Sequence, residues 1–140
     1  MGDSLPTGTA VERYFFSPLY YPRSPWAVVR WWESRRLFYN LSVGAAGLVT
    51  IAAGFGFSVL PPHPVGFAPA WVLVPIYGVL ANLCYSLGAA CDLLLRRSLG
   101  DRAAGLGQAL FRYGYAFSIG LTLFPIPLLA LGWVLRWFLH

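Results

Sequence analysis

The sequence predicts an all-α membrane protein with three transmembrane helices and an N-terminal interfacial helix rich in aromatic residues and arginine. Three observations carry that expectation. Of 140 residues, 58% are hydrophobic and 11% are charged, whereas a soluble domain carries about a quarter charged residues. Three apolar runs approach or exceed the roughly 20 residues that cross a bilayer core. Nine of the ten arginines lie on one side of those runs, with Arg136 the exception.

The runs extend from about 37 to 60, 70 to 95 and 109 to 131, dividing the chain into an arm (1–36) and a transmembrane domain (37–140). Before the first run lie Arg13, Arg23, Arg30, Arg35 and Arg36. Between the second and third lie Arg96, Arg97 and Arg102, with Arg112 at the start of the third. The connection from Pro61 to Phe67 carries no arginine. By the positive-inside rule the N-terminus and the second connection are cytoplasmic, and the first connection and C-terminus lie outside. A bacterial inner membrane is the expected setting. The first 21 residues, interrupted by Pro6, Gly8 and Pro18, do not read as a secretory signal. Phe38, Tyr39, Tyr113 and Tyr115 at the inner ends, and Trp71, Tyr77, Trp133 and Trp137 at the outer ends, suit interfacial anchoring.

In the arm, Ser24-Pro25 reads as a helix start, with Ser as cap and Pro in the first turn. Aromatic residues alternate with arginines, so Arg13, Arg23, Trp26, Arg30, Trp31, Trp32, Arg35 and Arg36 are candidate contacts to anionic lipid or to a partner protein. Five arginines contribute about 1 kcal/mol each beside an anionic leaflet, which suffices without nucleic acid as a partner. Glu33 is positioned to meet Arg36 or Leu37.

Within the spans, Gly44, Gly47 and Gly54 share a helical face, and Gly114, Ser118 and Thr122 repeat at intervals of four. Small residues let helices approach closely, so these read as helix-packing positions, joined in the second span by Ser86 with Ala90 and by Gly88 with Asp92. Their partner is either another span of this chain or another subunit. Asn82 is expected to face another helix, because an unpaired amide in hydrocarbon costs several kcal/mol; a ligand or quinone headgroup is the alternative contact. Asp92 precedes Arg96 by four residues and is expected to form an ion pair with Arg96 or Arg112. Pro125 and Pro127 predict a kink in the third span that frees the Leu121 and Leu123 carbonyls, with Thr122 available to satisfy one. Cys84 and Cys91, seven residues apart on a helix, lie about 10 Å apart along it, beyond disulfide reach; they read as small buried hydrophobes.

The absence of lysine removes Schiff-base chemistry. His63 and His140 lie outside the spans, so no imidazole ligates haem in the bilayer, and no Cys or His pair has zinc spacing. No cofactor is expected. The sequence Trp31-Trp32-Glu33-Ser34-Arg35-Arg36-Leu37-Phe38-Tyr39-Asn40 resembles the entry to the first helix in a group of small, uncharacterised bacterial polytopic membrane proteins. That resemblance implies an inner-membrane setting and no activity.

The leading functional expectation is a non-catalytic accessory or assembly subunit of a larger inner-membrane complex, associating with other membrane subunits or with itself. The alternative is an oligomeric transporter or channel protomer, which three spans would require to self-associate. A lipid- or quinone-binding enzyme is a third reading.

Overall fold

The computed structural model describes residues 9, 24–62, 64, 66, 70–103 and 105–139. Four α-helices follow one another: α1 (Pro25–Val59), α2 (Ala70–Leu99), α3 (Leu106–Leu123) and α4 (Pro125–Phe138), with a 3-10 turn at Gly100–Ala103. Among the described residues there is no strand. Three stretches are long and apolar enough to cross a membrane, with α3 and α4 together forming the third, so the chain is a multi-pass membrane protein.

Helix α1 begins with Pro25 in its first turn, where a missing N–H costs nothing, although the Ser24 side chain makes no cap bond. It ends at Val59 because Leu60 precedes Pro61 and is held extended at φ −71°, ψ 145°. Its 35 residues make a rod of about 52 Å, well beyond the roughly 30 Å of a hydrocarbon core. The helix expected in the arm therefore continues into the first span without a break. Its buried stripe is Val28, Trp32, Arg35, Tyr39, Val43 and Ala46, which repeats at three and four residues as one face of a helix must.

Helix α2 closes with Arg96 and Arg97 in its last turn, which suits the negative end of the helix dipole. The turn to α3 needs two left-handed residues, and glycine supplies both: Gly100 at φ 56° and Gly105 at φ 92°. The expected kink is a single-residue break. Phe124 stays helical at φ −56°, ψ −33° and its N–H reaches the Gly120 carbonyl at 2.9 Å.

The core is aromatic and lies toward the arginine-rich end. Trp32 meets Trp31, Tyr85 and Phe111 edge-on at 5.5, 5.2 and 5.9 Å between ring centroids, each such pair contributing about 0.5–1.5 kcal/mol beyond burial. Farther along, polar rungs tie the helices. The Tyr39 hydroxyl lies 2.9 Å from Ser118 Oγ and 3.3 Å from the Ala81 carbonyl. The Tyr77 hydroxyl bonds that of Thr122, and Thr50 Oγ1 donates to the Thr122 carbonyl at 2.7 Å. At the far end Trp133 donates to the Pro61 carbonyl at 2.8 Å, and Arg136 donates to the Phe57 carbonyl.

Several anchors expected at the interface are instead structural. Tyr39 is buried, and Tyr77 turns inward to Thr122, because their rings fall on the packed faces of α1 and α2. Cys84 and Cys91 correct in the other direction: both are free thiols on the exposed surface of α2. Thr122 does not serve the carbonyls that the prolines free. Its hydroxyl bonds Ser118 one turn back, while Thr50 on α1 donates to the carbonyl of Thr122 itself, which lies between the two freed ones.

Candidate functional site

Two constellations stand out: a buried carboxylate at the arginine-rich end, and a groove along the side of the bundle. The carboxylate is Asp92, 1% exposed. Oδ1 accepts from Arg96 Nε at 2.8 Å, and Oδ2 accepts from the Trp32 indole N–H at 3.1 Å. The expected i to i+4 ion pair is thus formed with Arg96, while Arg112 is exposed. The carboxylate also lies against the first turn of α3. A methyl group on Gly107 would stand 2.7 Å from Asp92 Cγ and closer still to Oδ2. Helix N-termini favour negative charge through their unpaired N–H groups and dipole. Asp92 therefore joins three helices: its own, α1 through Trp32, and α3 through the space that Gly107 leaves.

Around this junction, Tyr85 donates to the Trp32 carbonyl. Gly88 leaves room for the Trp32 ring, which a Cβ there would meet at 3.1 Å. Arg35 is buried, stacks its guanidinium over Trp31 at 4.0 Å and donates to the Trp31 carbonyl. Arg36 pairs with Glu33 at 3.0 Å and donates to Ser86 Oγ on α2 at 3.0 Å.

The arm contacts anticipated from sequence divide accordingly. Trp26 and Arg30 are exposed, and Trp31 and Arg36 are half-buried. Trp32 and Arg35 are corrected to interior positions, 3% and 4% exposed, because the helix they sit on packs into the bundle. Arg13 and Arg23 lie outside the described residues.

The groove has a volume of about 670 Å³ and runs between α1, α2 and the α3–α4 break. Gly44, Gly47 and Gly54 form its α1 wall, with Asn40 and Thr50. Tyr77, Gly78 and Asn82 form its α2 wall, and Thr122 and Pro125 close the far side. The packing positions split here. Gly54 is buried, a Cβ on Gly47 would touch Thr122 at 3.9 Å, and Ser118 and Thr122 bond across helices. Gly44 and Gly114 pack against no other span of this chain: nothing lies within 4 Å of a Cβ at either. Gly44 faces the groove and Gly114 the bundle surface, so neither brings helices together within this chain. Ser86 bonds both the Asn82 carbonyl and Arg36.

Asn82 is also corrected. Its Nδ2 donates to the Gly78 carbonyl of its own helix at 3.1 Å rather than to another helix. Asn40, the last residue of the Trp31–Asn40 stretch, lines the groove with no hydrogen-bond partner among the described residues. Sequence reasoning also missed Gly107 and Trp32 as the two sides of the Asp92 pocket. The available signal was Gly105-Leu106-Gly107 at a helix start, where small residues leave space for a side chain from elsewhere. Among the described residues, no group of three His, Cys, Asp or Glu side chains could hold a metal ion. No family model, curated protein or solved structure matches this chain.

Proposed function

We propose that this protein is a non-catalytic accessory or assembly subunit of a larger membrane complex, in a bacterial inner membrane with its arginine-rich end in the cytoplasm. One observation carries the reading. Asp92, the acidic group within a span that a transport mechanism would use, has both oxygens engaged by Trp32 and Arg96 and is wedged against Gly107. A carboxylate held from three sides fixes helices and is a poor carrier of protons or ions. The other interior polar groups, Tyr39, Tyr77, Thr50 and Thr122, likewise tie helix to helix. The chain supplies a cross-braced body whose outward apolar faces are free to meet other membrane proteins or a second copy. The arginine distribution supports the orientation, and the exposed Trp26 and Arg30 suit the cytoplasmic interface.

Purification from native membranes in mild detergent tests this. A partner polypeptide that co-elutes in fixed ratio is the expected result. A lone monomer from native membranes, or flux in proteoliposomes that Asp92→Asn abolishes, overturns it. The second outcome would favour the transporter reading.

A further inference from the structure

We infer that the lateral groove is a phospholipid site: one acyl chain lies along the glycine wall of α1, its ester carbonyl meets Asn40 and Asn82, and its phosphate meets Arg36. The inference is independent of the subunit reading.

The polar groups are stacked in that order. Helices α1 and α2 run antiparallel, with Arg36 bonded to Ser86 and Tyr39 reaching the Ala81 carbonyl. Asn40 therefore stands level with Asn82, one turn above the Arg36–Ser86 pair. Both carboxamides line the groove. Among the described residues Asn40 has no hydrogen-bond partner, and Asn82 uses only one N–H, on its own helix. Amide groups left this way in hydrocarbon are costly, and a carbonyl oxygen from an occupant satisfies both. Below them, the Arg36 side chain is half-buried. Its Nη2 already serves Glu33 and Ser86, so the phosphate takes the guanidinium edge away from them, and Glu33 is the nearby acid it must tolerate. Guanidinium is well matched to phosphate.

The length of the groove suits an acyl chain. From Asn40 to Gly54 is 14 residues, or about 21 Å of helix axis, enough for an acyl chain that fills one leaflet of about 15 Å. The wall itself, Gly44, Gly47, Ile51 and Leu73, is apolar and offers a chain nothing to bond.

The test is native mass spectrometry of the full chain, stripped of lipid in detergent and then titrated with phosphatidylglycerol, phosphatidylethanolamine or diacylglycerol. Either phospholipid is expected to bind one-to-one. Asn40→Leu and Asn82→Leu are each expected to weaken binding by about five-fold, the scale of one net hydrogen bond, and Arg36→Gln by about ten-fold. Gly44→Leu, which fills open space, is expected to abolish it, while Gly114→Leu on another face leaves it unchanged. Circular dichroism and elution volume confirm that each variant is folded. A diazirine placed mid-chain in phosphatidylglycerol is expected to cross-link Leu48, Ile51 or Leu73. Diacylglycerol binding as tightly as phospholipid overturns the assignment of Arg36. No retained lipid, retention unmoved by Gly44→Leu, or a polypeptide cross-linked into the groove overturns the site. A monomer that retains phospholipid would refute only the subunit reading.

Discussion

The Trp32 indole nitrogen donates to the Asp92 carboxylate across 60 residues of sequence, at 3.1 Å. That bond places the arm's second consecutive tryptophan inside the bundle and ties the arginine-rich ends of α1 and α2. It has an energetic asymmetry, because Asp92 is 1% exposed while the side chain of Arg96 is 27% exposed. Removing Arg96 strands a buried charge, whereas removing Asp92 leaves a guanidinium that reaches water along its own stem. Arg96→Gln is therefore expected to destabilise the fold more than Asp92→Asn in sodium dodecyl sulfate titration. Trp32→Phe, which loses the N–H and part of the buried ring system, is expected to cost about 1.5–3 kcal/mol for the lost charge-assisted hydrogen bond and more for the cavity left behind. In a double-mutant cycle, Trp32→Phe and Asp92→Asn should couple favourably; strict additivity would mean that the bond contributes nothing.

Glycines of the same span type should respond in opposite ways. Gly107→Ala drives a methyl group into Asp92, and overpacking of this kind costs about 1–3 kcal/mol. Gly114→Ala meets open space and replaces a poor helix former, so it is expected to be neutral or to gain about 0.5–1 kcal/mol. Thermal unfolding in detergent ranks the two variants. Equal loss from both would show that neither the Asp92 pocket nor the open face is as described.

The proline break is supported from outside its own helix. Thr50 donates to the Thr122 carbonyl, beside the stretch where Pro125 and Pro127 lack N–H groups. Interhelical hydrogen bonds in membranes average about 0.6 kcal/mol with a maximum near 1.7. Thr50→Val is expected toward the upper end, because a carbonyl at a helix break has fewer alternatives. Tyr77→Phe, which removes a hydroxyl–hydroxyl bond, is expected nearer the average. Unfolding free energies in mixed micelles check the order, and a Thr50→Val variant as stable as the parent would show that the break needs no such support.

Periodicity and charge made the spans legible: helix α1 starts at the Ser24-Pro25 signal, and the third span bends at Pro125. The side-chain assignments were less legible, for a reason visible in Tyr39 and Trp32. In a membrane protein, aromatic residues near a span end suit the interface and the core equally, and only the rotation of the helix decides. A register that buries Val28 also buries Trp32, Arg35 and Tyr39. Asn40 and Gly44 then face outward, where sequence alone had assigned Gly44 to packing. Gly107 was illegible because its meaning lies in a side chain fifteen residues earlier, across a turn.

Among the described residues Arg136 is the one arginine at the opposite end of the bundle, and its geometry explains how it is accommodated there. Its guanidinium donates to the Phe57 carbonyl in the last turn of α1, and Trp133 caps the Pro61 carbonyl beside it. A cation at a helix C-terminus offsets both the unpaired carbonyls and the dipole. The residue thus serves as a local cap. Arg136→Leu is expected to reduce stability by about 0.3–1 kcal/mol without turning the protein over. In a Cys84→Ala, Cys91→Ala background, His63→Cys should react with an impermeant maleimide from the periplasmic side, and Arg30→Cys only after the membrane is opened. The same pattern should persist when Arg136→Leu is added. Labelling of residue 63 only from the cytoplasm in the parent would invert the topology; inversion on adding Arg136→Leu would show that this arginine sets orientation.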